Sequence, residues 1–185
     1  MIASKDRSYF FGASDSDKII GKWTSNTWQK WWMQKIGINT DHFENKYTMA
    51  GNNFERKILE SLGLPLEFDK QIILEDLRLR VNLDGNTDDC IYECKTFIYE
   101  KGFKLPKKYI NQVQVQMFAS GIRKAKIIAY GLKDEDYNNY FKPIDKGRIL
   151  EFDIEYDEQW INNIFLPKLR TLVDCLKRGV MPYAA

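Results

Sequence analysis

Asp84, Glu93 and Lys95 stand in the pattern D-x8-E-x-K, a spacing that two antiparallel strands and a tight turn would fold into one site. Two carboxylates brought side by side repel each other and are tolerated where a divalent cation bridges them. A lysine two residues beyond Glu93 shares its strand face, where it can orient or deprotonate a water and stabilise negative charge on a phosphate. Together these groups are suited to hydrolysing a phosphodiester. An exposed hairpin with an ordinary Glu–Lys pair satisfies the same pattern. The chain has one histidine, His42, so clustered-His zinc sites are excluded, and hard oxygen donors favour Mg²⁺, with Mn²⁺ as its substitute. Three cysteines, Cys90, Cys94 and Cys175, are too few for a four-cysteine metal site or a disulfide framework; the strand cysteines read as small packing residues.

A further acid is out of place. Residues Met49 to Leu62 read as a helix on which Glu55 lies on the same stripe as Leu59 and Leu62. A buried unpaired carboxylate is expensive. Glu55 therefore sits at the edge of the apolar stripe, or a metal or lysine meets it.

The strands that must carry Asp84 and Glu93 are legible from period two. Leu77, Leu79, Val81 and Leu83 alternate with Arg78, Arg80, Asn82 and Asp84, and a shorter strand over Gln71–Glu75 precedes them. Gly85-Asn86-Thr87-Asp88-Asp89 is turn chemistry, and Cys90–Phe97 returns as a strand with Ile91, Glu93 and Lys95 on one face. Lys101, Lys104, Lys107 and Lys108, interleaved with Phe103 and Leu105, form a cationic loop before a helix from Tyr109 to Gly121. On that helix Gln112 and Gln116 share a face, while Gln114 points elsewhere. Strands over Ala125–Leu132 and Arg148–Glu155 follow, then a long helix from Asp157 to Lys177 that Pro167 should kink or split.

Four of the five tryptophans, Trp23, Trp28, Trp31 and Trp32, crowd a helix capped by Thr24 or Ser25. Helical spacing reads as core; a platform for stacking bases is the functional alternative. Upstream, Ser14 in Gly12-Ala13-Ser14-Asp15 is placed to cap a helix with Asp17 three residues on, and a phosphate would also settle there. The order of elements predicts an α/β fold with a central mixed sheet flanked by helices.

Five segments in order, Gly12-Ala13-Ser14-Asp15, Ala50-Gly51-Asn52-Asn53-Phe54-Glu55, Leu83-Asp84-Gly85, Tyr92-Glu93-Cys94-Lys95-Thr96 and Tyr109 to Met117, resemble the PD-(D/E)XK nuclease superfamily. Within it, the chain is similar to the YqaJ-like viral recombinases, the group of the phage lambda exonuclease, over about Tyr9 to Leu132. The resemblance implies a restriction-endonuclease-like core in one nuclease domain, 1–185. Its helical part would span about 1–65, its catalytic sheet about 66–155 and its C-terminal helix about 157–178. It also implies that Asp84, Glu93, the backbone carbonyl of Cys94 and Glu55 hold the metal, that Lys95 orients the attacking water, and that Gln112, Gln114 and Gln116 form the glutamine-rich helix beside the site, with Gln112 among the catalytic groups and Gln114 and Gln116 as DNA contacts. Ser14 would contact phosphate. The proline that names the superfamily is absent before Asp84, where Asn82-Leu83 stands.

Lys and Arg exceed Asp and Glu by 28 − 26 = +2, so no global field announces a polyanion partner. DNA would have to meet locally arranged cations, for which Arg78, Arg80, Lys104, Lys107 and Lys108 are candidates. If acids converge on a bound cation, the face turned to DNA is more positive than the sum. No signal-like apolar run opens the chain and no stretch reaches the ~18 apolar residues of a membrane span, which points to the cytoplasm, the host's if phage-encoded. The expectation is a Mg²⁺-dependent 5′→3′ exonuclease on linear duplex DNA in phage-type recombination. By the resemblance it would form a ring-shaped trimer and work with a single-strand annealing protein. An endonuclease or nickase, or a non-catalytic DNA- or protein-binding module on the same scaffold, are the alternatives.

Overall fold

The computed structural model describes residues 8–38 and 45–182; His42 and the polar residues 1–7 lie outside them. Five strands form one sheet in sequence order: β1 (Glu67–Leu74), β2 (Leu79–Asn86), β3 (Ile91–Ile98), β4 (Lys124–Leu132) and β5 (Ile149–Glu155). β3 and β4 run parallel and the other neighbours antiparallel, so the sheet is mixed. A parallel pair needs a crossover, which α4 (Lys107–Ser120) supplies.

Two strand boundaries differ from the sequence expectation. β1 begins four residues before Gln71, and a 3₁₀ turn at Glu75–Leu77 closes the hairpin with Arg78 in the left-handed region at φ 46°. Gly85 and Asn86 belong to β2 rather than to the turn, because Phe68 and Glu67 pair with them on one side and Tyr92 and Ile91 on the other. The turn is correspondingly short and is closed by the Thr87 N–H donating to the Cys90 carbonyl at 2.9 Å.

The sheet buries both faces. On one, Leu79, Val81, Leu83, Ile91, Ala125 and Ile127 pack with Val113 and Met117 of α4, with α2 (Asn26–Lys35) and with the C-terminal helix. On the other, Tyr92, Cys94, Ile128, Tyr130 and Leu132 pack with Ala50, Phe54, Ile58 and Leu59 of α3 (Lys46–Glu60). The tryptophan helix is core: Trp28, Trp31 and Trp32 are buried, and their indole N–H groups donate to Lys18 O, Asp15 Oδ1 and Val180 O. Rings so enclosed cannot stack on bases.

The first turn corrects the Ser14 cap. Gly12 caps a 3₁₀ turn at Ala13–Asp15, its N–H donating to Asp15 Oδ2 at 2.7 Å, and Ser14 is exposed. Asp17, on the short helix α1 (Ser16–Ile20), instead accepts from Asn111 Nδ2 at 2.7 Å and ties α1 to α4. The long C-terminal helix is split, as Pro167 requires. α5 (Glu158–Trp160) widens into a π turn over Ile161–Phe165 before α6 (Leu166–Arg178), with Pro167 in the first turn of α6, where its missing N–H does least harm. Among the described residues no helix is long and apolar enough to cross a membrane.

Candidate active site

β2 and β3 pair at Gly85–Tyr92 and Asn86–Ile91 and then diverge. Backbone groups left without a ladder partner need another one. Here side chains provide it. The Cys94 N–H donates to Asp84 Oδ2 at 2.9 Å, and the Asn82 carbonyl accepts from Gln116 Nε2 at 3.2 Å. At the far end of the gap Phe11 bridges Leu79, its N–H donating to Arg78 O and its carbonyl accepting from Arg80 N. The result is a wedge between two strands with Asp84, Glu93 and Lys95 at its apex. The β1–β2 ribbon bends at the same level: Asp69, opposite Asp84, has φ 56°, and neither residue joins the ladder that flanks them.

Glu93 is the hub. Its side chain is 1% exposed, and burying an isolated carboxylate that far is prohibitive. It is held by three donors: Lys95 Nζ and Gln112 Nε2 on Oε1, and Gln116 Nε2 on Oε2. Gln112 and Gln116 reach it together because they lie one helical turn apart on α4. Gln116 is fully buried, so it orients Glu93 and cannot meet DNA, which corrects its expected role as a DNA contact. Gln114 is also corrected. It is turned away, donating to Glu155 O and accepting from the Asp157 N–H, both at 2.7 Å, and it fastens the β5–α5 junction.

Glu55 enters from α3 on the opposite side. That helix approaches β3 closely at Gly51, where a Cβ would lie 3.2 Å from Thr96 Oγ1, and Glu55 follows one turn later. Glu55 is half-buried, and no residue among those described gives its carboxylate a hydrogen bond or ion pair. Its misplaced position in the apolar stripe is therefore real.

The electrostatics follow from this convergence. Burial, and then the Glu93 carboxylate, push the Glu55 pKa up to about 7, with Asp69 adding to the effect and Lys95 opposing it. Burial first, then Glu93 and Glu55, raise Asp84 well above the usual carboxylate range, against the pull of Lys95 and the Cys94 N–H. Burial works against the Lys95 charge, but Glu93 and Asp84 outweigh it and hold its pKa above the ordinary lysine value. This arrangement favours Lys95 as an ammonium, which can orient water or face a phosphate. Burial pushes the Cys94 thiol well up, so it offers no thiolate. In an extended strand a residue's N–H and C=O point to the same edge, so the Cys94 carbonyl opens toward Asp84.

The donor set fits a hard divalent cation. Two carboxylates are held where their charge is disfavoured, one of them without a hydrogen-bond or ion-pair partner among the described residues, and a cation would reverse that penalty. Among the described residues no three Asp, Glu, His or Cys side chains already stand as a ligand cluster. The hydrogen bonds explain this, because Glu93 is turned toward α4.

The other expected contacts are dispersed. Lys104, Lys107 and Lys108 are exposed on the loop and first turn of α4, and Phe103 pins this loop to the sheet, 4.9 Å from Phe97 and 5.6 Å from Phe152 between ring centres. The Arg78 and Arg80 guanidiniums lie 5.5 and 5.6 Å from the Phe10 ring, at the distant end of the wedge. Two residues at the site lie in the Tyr109–Met117 segment but received no role from the sequence. Asn111 joins α4 to α1, and Tyr109 lies against Lys95, whose Nζ is 5.2 Å from its ring centre.

Several solved structures share this fold. An alkaline exonuclease from Laribacter hongkongensis aligns with 92% of this chain and 92% of its own at 20% identity and a TM-score of 0.62. The same enzyme in complex with dAMP aligns at 18% identity and a TM-score of 0.68, covering 92% of this chain and 89% of that one. A phage-related exonuclease from Haemophilus somnus covers 92% and 96% at 20% identity and a TM-score of 0.62. No match is found among curated protein sequences. The decisive match is to a family: residues 4–123 fit the YqaJ-like viral recombinase domain, and the chain belongs to that family.

Proposed function

We propose that the chain is a Mg²⁺-dependent deoxyribonuclease, acting as a 5′→3′ exonuclease on linear duplex DNA in phage-type recombination. The observation that carries this reading is the convergence of Asp84, Glu93, Lys95 and Glu55 at the apex of the β2–β3 wedge. The fold neighbours described as exonucleases, one of them holding a mononucleotide, support it.

Asp84, Glu55 and the Cys94 carbonyl would hold the ion. Glu93 would join them, its carboxylate oriented by Lys95 and Gln112 on Oε1 and by Gln116 on Oε2. Bound there, Mg²⁺ (or Mn²⁺) supplies Lewis-acid polarisation of the scissile phosphate. Lys95, tethered by Glu93, orients the attacking water and stabilises charge on the phosphate. Gln112 fixes the Glu93 carboxylate. Ser14, Arg78, Arg80, Lys104, Lys107 and Lys108 are assigned to the DNA backbone. The family resemblance adds one nuclease domain over 1–185, a homotrimeric ring and a single-strand annealing partner; the expected setting is the cytoplasm.

The test uses end-labelled linear duplex beside covalently closed circles. Mg²⁺ or Mn²⁺ should release the 5′-terminal nucleotide first, EDTA should stop release, and closed circles should survive. Cleavage of the circle would establish the endonuclease reading instead. Lys95→Ala should lower the rate by about a hundredfold or more while DNA still binds; a wild-type rate in that variant would sink the assigned mechanism.

A further inference from the structure

We infer that Tyr109 is a positioning residue for Lys95, holding the ammonium through the face of its ring; the inference rests on the nuclease reading above. Lys95 has a flexible four-carbon stem, and a single ion pair to Glu93 fixes where one N–H points without fixing the rest. The ring provides a second anchor. Lys95 Nζ lies 5.2 Å from the Tyr109 ring centre, within the range of a cation–π contact, and the lysine side chain is 20% exposed. Lys108 Nζ lies 5.0 Å from the same ring.

The chemistry of the anchor matters. A second carboxylate would neutralise the charge that Lys95 must present to a phosphate and would take up another of its three donors. A ring face attracts the ammonium without neutralising it, which leaves two N–H groups for water and substrate. The placement is built into the helix. The Tyr109 N–H donates to Pro106 O at 3.0 Å, which sets the first turn of α4, and Gln112 follows one turn on to hold Glu93. One helix end therefore fixes both members of the Glu93–Lys95 pair.

The test replaces Tyr109 in the full chain by phenylalanine and then by phenylalanines with one, two and three ring fluorines, which drain the ring face of negative potential while nearly keeping its shape. Tyr109→Phe should retain the wild-type kcat. The fluorinated series should lower kcat stepwise, to about tenfold at three fluorines, with KM and Tm unchanged. In parallel, the side-chain ammonium resonance of Lys95 should carry a ring-current shift that disappears in Tyr109→Leu, a readout independent of turnover. A flat kcat across the series, a Tyr109→Phe variant as impaired as Tyr109→Leu, or a Lys95 resonance unmoved in Tyr109→Leu would overturn the inference. A wild-type chain that releases no nucleotide overturns the nuclease reading instead, and the resonance still decides whether the ring holds Lys95.

Discussion

Glu55 shows how one side chain reports on its site. Its pKa of about 7 lies above the ordinary 4.5, so the folded chain binds that proton more tightly than the unfolded chain does. The folded state then holds more protons between these values, and stability falls as pH rises through this window. Without metal the loss amounts to up to about 3 kcal/mol and is complete above pH 7. Asp84, raised by burial and by the same neighbours, works in the same direction. In EDTA, Glu55→Gln should therefore melt above the wild type at pH 8 and show a flatter dependence of Tm on pH. Mg²⁺ should raise the wild-type Tm at pH 8 and raise that of the variant much less. Identical pH slopes for the two proteins would mean that Glu55 does not face the other acids. At this scale the sequence was informative where periodicity fixes direction: period two placed Glu93 and Lys95 together, and the stripe on α3 exposed Glu55 as an intruder. Gln116 was misassigned because its partner lies 23 residues away, and only burial shows that it serves Glu93 rather than DNA.

The elements act through their approach to one another. α3 can bring Glu55 to the wedge because Gly51 lets the helix lie against Thr96 of β3. Gly51→Ala sets a methyl 3.2 Å from Thr96 Oγ1, so the helix must give by a few tenths of an ångström or the threonine must turn. Overpacking of this kind costs about 1–3 kcal/mol, and here it would also displace Glu55, the acid proposed to hold the metal. Gly51→Ala should weaken Mg²⁺ dependence, seen as a higher Mg²⁺ concentration for half-maximal cleavage, and Thr96→Ala in the same chain should restore it. Failure of that rescue would locate the effect elsewhere. Most helices and strands were legible, since most bury a regular apolar pattern; β1, which has no fully buried residue, was the least well bounded. Their relation was not. The divergence of β2 from β3 depends on Phe11 filling the gap, and the bend at Asp69 on a left-handed backbone, and neither leaves a periodic trace. The longer β2 was missed for a related reason: Gly85 and Asn86 look like a turn until strands on both sides claim them.

For the whole molecule the question is how a chain of net charge +2 would hold a polyanion. The acids of the wedge are turned inward, toward Lys95 and α4, whereas Lys104, Lys107 and Lys108 stand exposed on the loop and first turn of α4, where Phe103 packs beside Phe97, two residues beyond Lys95. On the proposed reading, local arrangement would supply what composition withholds and would separate the tasks of binding and cleaving. Affinity gained through phosphate contacts falls with salt, with a slope of about 0.9 for each phosphate neutralised. Replacing Lys104, Lys107 and Lys108 by alanine should weaken DNA binding at low salt and make the plot of log affinity against log salt shallower by about 0.9 for each lysine that meets a phosphate. KM should rise, while kcat at saturating DNA stays close to wild type because Glu93 and Lys95 are untouched. Lys95→Ala should do the reverse, removing turnover and leaving the salt slope nearly intact. A triple variant with an unchanged slope would place the duplex on another face, and the Arg78–Arg80 end of the wedge would be the next surface to mutate.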